Sequence, residues 1–428
     1  MPESVLFGYL AVAKQSSITM RKNSHFSGQP LYGQVIKLLD KSKILSYSRD
    51  NGGERYTKRF NCWVHLVVML YAAIMRFDSL REITASLLAE TRKLAHLGIT
   101  FKIGRSTLAD ANKRRSEAIF EAIYRDLYAT YRHVLSSDSR SRKTPKWMKR
   151  LQIIDSTTIT LFSNLLFKGV GRHPKTGKKK GGIKVHTVIH ANEGVPSDIK
   201  FTSAATNDSF MLKPATLSNG DIMAMDRAYI DYEKFEQLTQ RGVIYVTKMK
   251  KNLKYSILSD TMYQTPDGFM EVRIQHVEFV KPVKGGDVIH HKSRIITYAD
   301  VRKRKLTSLL TNDMESDPEE IIAIYRQRWE IELLFKQMKQ NFPLKYFYGE
   351  SANAIKIQIW VTLIANLLLM VMQKGLNRQW SFSGLATMVR ITLMYYVDFY
   401  SLFNNPEKEW EIILSEASGA PPGLSLFG

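Results

Sequence analysis

Residues 316–339 read SDPEEIIAIYRQRWEIELLFKQMK. The segment opens like a helix: Asp317 stands at the N-cap, Pro318 at the first helical position, and Glu320 where it closes a capping box. It ends at Asn341, Phe342 and Pro343, where the proline cannot continue the turn. At about 100° per residue, Tyr325, Arg328, Glu332, Lys336 and Lys339 fall within an arc of roughly 80°. Ile331, Leu334, Phe335 and Met338 fall on the opposite side. One packed helix therefore presents a carboxylate among three cations and a phenol. That stripe is either a solvated face with i,i+4 charge pairs or a place where Glu332 holds a divalent cation beside groups that hold phosphates. The rest of the chain has to decide.

A chain of 428 residues is too long for one ordinary core, so two or three domains are expected. With 44% hydrophobic and 11% aromatic residues it has material for packed cores and does not have the composition of a disordered chain. Lys and Arg total 62 against 40 Asp and Glu, a formal charge of +22 that points to a polyanionic partner, nucleic acid before membrane. Cys62 is the single cysteine, which excludes a disulfide framework and a cysteine-based zinc site and fits a reducing cytoplasm. The apolar start of the chain lacks a basic n-region, and Met20 is an alternative initiator. The apolar run 357–372 is shorter than a bilayer needs and reads as a buried core helix. A soluble protein with no membrane partner is expected.

Residues 30–135 read as helical, with apolar residues at helical spacing in 31–39, 63–75, 79–96 and 111–131. Within them, 104–115 (GRSTLADANKRR) starts with Ser/Thr capping chemistry and carries cations further on, as a helix against a DNA groove would, or as a basic helical bundle would. A polar linker follows at 136–145. Strand patterns then appear at 151–162, 183–190 and 221–226, and a β-rich stretch runs from 242 to 311 with strands at 243–247, 269–279, 293–298 and 306–311. Helices follow to about Phe403.

Asp155 lies inside an otherwise apolar strand, where an acid is expensive unless it is paired or ligates a metal. The hydroxyls of Ser156, Thr157 and Thr158 are an alternative way to satisfy it. Asp226 ends a second apolar strand, as a helix cap, as a partner of Arg227, or as a second ligand. Two strand-end carboxylates and a third from a helix packed on the sheet make a site for two divalent cations about 3.5–4 Å apart, suited to phosphoryl transfer.

These residues carry a resemblance. Asp155-Ser-Thr, then Asp226-Arg-Ala-Tyr, then Tyr325-x2-Arg328-x3-Glu332-x6-Lys339 resembles the DDE transposases of the insertion-sequence four family. The spacings also match, 71 residues from Asp155 to Asp226 and 106 from Asp226 to Glu332. The resemblance implies an α/β fold: a ribonuclease-H-like mixed-sheet core, interrupted by a β-rich insertion and preceded by an all-α N-terminal domain. The implied division is an extension at 1–25, a helical DNA-binding domain at 26–138, the core at 139–241 and 313–403, the insertion at 242–312, and a tail at 404–428. It further implies Asp155, Asp226 and Glu332 as catalytic metal ligands, two Mg²⁺ ions with Mn²⁺ as a substitute, and Tyr325, Arg328 and Lys339 as phosphate contacts. The implied partner is double-stranded DNA, both terminal inverted repeats and target, bound by a homodimer in a synaptic complex. The implied setting is the bacterial cytoplasm, in association with the nucleoid.

Lys336, Arg227 and Trp329, which is either a base-stacking ring beside Arg328 or a packing tryptophan at the helix edge, join the expected DNA contacts, with Lys178, Lys179 and Lys180 in a Gly-rich loop, 168–184, that holds seven cations and no acid. Two departures stand out. Ala228 occupies a position where many members have glycine, and no tryptophan lies between Trp147 and Trp329 to hold a flipped base, leaving Tyr255, Tyr263, Phe269 or Tyr298. His173, His186 and His190 find no complementary zinc ligands. The competing readings are a metal-dependent nuclease without joining, a catalytically silent DNA-binding descendant, and a helix-turn-helix regulator, which leaves the three acids unexplained.

Overall fold

The computed structural model describes residues 28–136, 144–160, 182–204, 206–265, 271–282, 288–300 and 305–408. Nine strands form one sheet: β1 (Leu151–Thr160), β2 (Gly182–His190), β3 (Pro196–Ser203), β4 (Ile222–Met225), β5 (Ile244–Lys248), β6 (Ser256–Gln264), β7 (Glu271–Pro282), β8 (Val288–Asp300) and β9 (Lys305–Thr311). Their spatial order is β3-β2-β1-β4-β5-β9-β8-β7-β6. β1, β2 and β3 pair antiparallel, whereas β4 and β5 run parallel to β1. This five-strand order is the ribonuclease-H-like arrangement expected from the sequence. The β-rich segment continues the same sheet, because β9 pairs antiparallel with β5 and β8, β7 and β6 follow as a meander.

Side-chain alternation divides the sheet into two faces. Leu151, Ile153 and Ile159 of β1 pack with Ile331, Leu334, Phe335 and Met338 of the helix Trp329–Asn341, so the apolar side read from the sequence is the buried one. On the other face, Ile154, Met223, Met225 and Tyr245 pack with Phe235 and Leu238 of the helix Tyr232–Gln240. A buried polar chain ties the extended strands to this second core: Glu236 Oε2 to His291 Nδ1 at 2.8 Å, His291 Nε2 to the Tyr245 hydroxyl at 2.8 Å, and that hydroxyl to Ser293 Oγ at 2.8 Å.

The helical N-terminal region shares its core with the C-terminal helices. The helix Cys62–Met75 starts at Asn61, whose Oδ1 accepts from Val64 N, and is buried on nearly every side. It packs with the helix Glu117–Leu135 around the long helix Ala352–Lys374. Trp360 of that long helix is 1% exposed and donates its indole N–H to Glu117 Oε2 at 2.7 Å. The N-terminal helix Leu31–Ile36 is also tied to the far end of the chain, through Leu31 N to Tyr395 O and Tyr32 N to Leu393 O. Ala352–Lys374 is long and apolar enough to cross a membrane, but most of its apolar stretch is buried inside the protein.

Several helices differ from the sequence expectation, among them 79–96, which is divided into Leu80–Ala89 and Thr91–Ala95. The helix expected from 318 onward is two, Pro318–Gln327 and Trp329–Asn341, meeting at Arg328, whose N–H closes a tighter turn onto Tyr325 O at 3.1 Å. The capping box does not form, since the Asp317 side chain makes no cap bond; Asp313 instead accepts from the backbone N–H of Glu315 and Ser316 and from the Ser316 hydroxyl. The run 111–131 is likewise divided, with Arg105–Arg114 ending before Ser116 caps Glu117–Leu135. Two strands, β3 and β6, and the helix Tyr232–Gln240 match no element read from the sequence, and Lys41–Asp50 is a further helix within 30–135.

Candidate active site

β1 and β4 pair in parallel as far as Ile154 and Met225. Asp155 and Asp226 are therefore the next residues on two neighbouring strands, at the carboxyl end where α/β sheets present their sites. By alternation from Ile153 and Ala224, both carboxylates lie on the face covered by the helix Trp329–Asn341. That helix supplies Glu332.

Arg328 stands between the acids. Its guanidinium donates to Asp155 Oδ2 at 3.2 Å and to Glu332 Oε1 at 2.5 Å, and it lies 5.8 Å from the centre of the Tyr325 ring. Asp155 also accepts from Ser156 N at 2.7 Å, and Asp226 Oδ1 accepts from Ala228 N at 3.0 Å, capping the 3-10 turn Arg227–Tyr229. The hydroxyls beside Asp155 do not satisfy it: the Ser156 hydroxyl donates to Asp208 Oδ1 at 2.7 Å, and the Thr157 hydroxyl receives Lys339 Nζ at 2.7 Å. Burial pushes the Asp155 carboxyl up to about 6; the Ser156 N–H and Arg328 pull it back, and the negative fields of Asp226 and Glu332 push it further up. Asp226 and Glu332 thus both act on the half-buried Asp155, which Arg328 partly offsets.

The donor set suits a hard dication, which prefers carboxylate oxygen. Asp155 is raised first by burial and only last by its neighbours Asp226 and Glu332, and a bound dication would favour its ionised form. As the chain stands, no three His, Cys, Asp or Glu side chains among the described residues converge into a metal cage. Arg328 bridges two of the acids instead.

The other expected residues gather at this edge to different degrees. Tyr325 is half-buried, and burial raises its hydroxyl pKa. Lys339 is exposed along its length, yet its ammonium lies close enough to the sheet that burial lowers its pKa. Trp329 is 53% exposed, so it is not a packing tryptophan. Lys336 and Arg227 are exposed. Lys178, Lys179, Lys180, His173 and Phe269 lie outside the described residues.

Tyr298 is 3% exposed and belongs to the core, which removes it as a base-stacking candidate, while Tyr255 and Tyr263 are half-buried. In 104–115, Gly104 rather than a Ser or Thr holds the cap position, and Arg115 is buried, donating to Gly53 O and Phe60 O. Asp208 was missed. It lies in a short 3-10 turn without apolar periodicity, 52 residues beyond its partner Ser156.

The chain is similar to known proteins. A family model described as "Transposase DDE domain" matches residues 146–368, just over half of the chain, and a domain of unknown function (DUF4372) matches residues 27–100. A Sinorhizobium fredii protein provisionally assigned as transposase y4zB is 28% identical over 275 residues, 64% of this chain and 73% of its own length. A Geobacillus stearothermophilus protein, "Probable transposase for insertion sequence element IS5377", is 23% identical over 282 residues, 64% of this chain and 70% of its own. Among solved structures, a piggyBac transposase in a synaptic complex with hairpin DNA aligns with 95% of this chain and 87% of its own, at a TM-score of 0.43 and 12% identity. With the family model covering the strands and helix that carry Asp155, Asp226 and Glu332, the chain belongs to the DDE transposase family.

Proposed function

We propose that this transposase binds the ends of an insertion sequence, cleaves them by Mg²⁺-dependent hydrolysis that frees a 3′-OH, and joins that 3′-OH to target DNA. The observation that carries the proposal is the alignment of Asp155 and Asp226 at the ends of adjacent parallel strands, with Glu332 drawn to Asp155 across Arg328. Asp155, Asp226 and Glu332 would hold the ions. When bound, two such ions supply an activated water or hydroxyl and stabilise the leaving oxygen. No covalent protein nucleophile is required, since water and a DNA hydroxyl serve in turn.

The remaining residues bind and orient the strand. A guanidinium fork fits a phosphate as well as it fits a carboxylate, so Arg328 exchanges its acid partners for a backbone phosphate when an element end arrives. Lys339, Lys336 and Arg227 add positive charge, and Tyr325 backs Arg328 through its ring. The exposed Trp329 indole offers a face for an unstacked base. Lys178, Lys179 and Lys180 are further cations for the duplex phosphates, and two copies of the chain hold two ends in synapsis.

The test is cleavage of a supercoiled plasmid carrying the element's own ends, with Mg²⁺, comparing wild type with Glu332→Gln. Nicks at the element boundary with wild type, lost in the variant while end binding persists, are the expected result. Wild type that binds the ends yet never cuts them would remove the catalytic claim and leave a binding role.

A further inference from the structure

Behind the catalytic strand, on the sheet face opposite Glu332, lies a polar cluster that the chemistry above does not use. Ser156 and His186 are register partners across β1 and β2, and both meet Asp208. The Ser156 hydroxyl donates to Asp208 Oδ1 at 2.7 Å, His186 Nδ1 lies 3.4 Å from the same oxygen, and Lys184 Nζ lies 3.3 Å from it. Lys184 also donates to Thr206 O at 2.8 Å, and His186 Nε2 meets Thr202 Oγ1 at 2.7 Å. Burial keeps His186 neutral, with its pKa pushed down to about 4, so Lys184 is the cation that balances Asp208. The turn Asp208–Met211 packs against Arg227–Tyr229, the turn that Asp226 caps.

This cluster sits where the sheet needs it. Pairing of β1 with β4 stops at Ile154, whereas β1 stays paired with β2 through Asp155, opposite Thr187, and on to Thr160, so the backbone here is held from the β2 side. Its carboxylate takes the N–H of Ser156, which couples the carboxylate rotamer to the backbone at 156. Ser156 in turn is anchored by Asp208. One contact from the back of the sheet thereby restrains a carboxylate on the front, and the same turn supports the backbone that carries Asp226.

We propose that Asp208 is a positioning residue: through Ser156 it holds Asp155 in line with Asp226. The inference rests on Asp155, Asp226 and Glu332 being the metal-holding acids. Outer partners of metal ligands typically contribute 10–100-fold in affinity or activity.

The test compares Ser156→Ala, Ser156→Thr and Asp208→Asn, with Asp155→Asn as control, in the full chain on a duplex of the element end. Readouts are the cleavage rate, end affinity, metal-free melting temperature, and Mn²⁺ bound on the duplex by electron paramagnetic resonance. Ser156→Ala and Asp208→Asn should each lower cleavage and weaken Mn²⁺ binding by about 10–100-fold, with end affinity unchanged and Ser156→Thr close to wild type. If Asp208→Asn does not melt cooperatively, Ser156→Ala, which removes one hydroxyl, decides alone. Mn²⁺ binding within twofold of wild type in Ser156→Ala overturns the inference while Asp155→Asn abolishes cleavage. Cleavage by Asp155→Asn at the wild-type rate would instead sink the assignment of the three acids.

Discussion

Arg328 is the residue on which the metal-free site depends. Only 13% of its side chain is exposed, and it neutralises two acids that otherwise face each other. Removing it leaves Asp155 and Glu332 without their cation, so Arg328→Ala should destabilise the chain by on the order of 2 kcal/mol at pH 8. The sign with pH follows from Asp155. Its folded pKa of about 6 lies above the usual carboxylate value, so ionisation is penalised in the native state only. That penalty is absent below about pH 4 and complete above the folded value. The deficit of Arg328→Ala, measured by denaturant melts, should therefore be larger at pH 8 than at pH 5. Millimolar Mn²⁺ should narrow it, and an equal deficit at both pH values would contradict the bridging role. Which acids the chain carries was legible from strand patterns and spacing. That Arg328 turns inward to bridge them was not, because its partner Asp155 lies 173 residues away.

Among the elements, the helix Cys62–Met75 shows how a polar group is tolerated where nearly every side is buried. His65 is 0% exposed, between the rings of Phe60 and Phe120, with Nε2 2.8 Å from Asn112 Oδ1. Burial first, and the nearby Arg115 second, push its pKa down to about 3. A depressed histidine gives stability that is fully present above the unfolded value of about 6.5 and is lost as pH falls toward the folded one, at about 1.4 kcal/mol per pH unit. His65→Gln should flatten the fall in stability between pH 6 and pH 4, read from urea midpoints, and an unchanged slope would place the acid sensitivity elsewhere. The same burial explains which elements were readable in the sequence. β1, β2, β4, β5 and β7 to β9 carry apolar residues facing cores, whereas β3 and β6 are the two edges of the sheet. β6 is exposed at eight of its nine residues, so it leaves no alternating pattern to find.

At the scale of the whole molecule, the helical N-terminal region is not self-sufficient. Its helices close around Ala352–Lys374, and Asn353, Lys356 and Trp360 bond back to Arg115 O and Glu117. A fragment of residues 28–136 alone should lack cooperative unfolding and a dispersed NMR spectrum, and should regain both when residues 350–408 are supplied. A fragment that folds alone would show that the shared core is dispensable.

Local chemistry wrote much of this protein into its sequence. Strand composition, the acids at strand ends and the 325–339 spacing are local, and through the family resemblance they carry they pointed to the sheet core and to Asp155, Asp226 and Glu332. Tertiary structure alone decided the rest: the single nine-strand sheet, the break at Arg328, the burial of Arg115 and Tyr298, and the Asp208 anchor behind the site. The physical reason is common to all four. Each depends on partners brought together across the fold, and no spacing along the chain encodes which buried polar group will meet which.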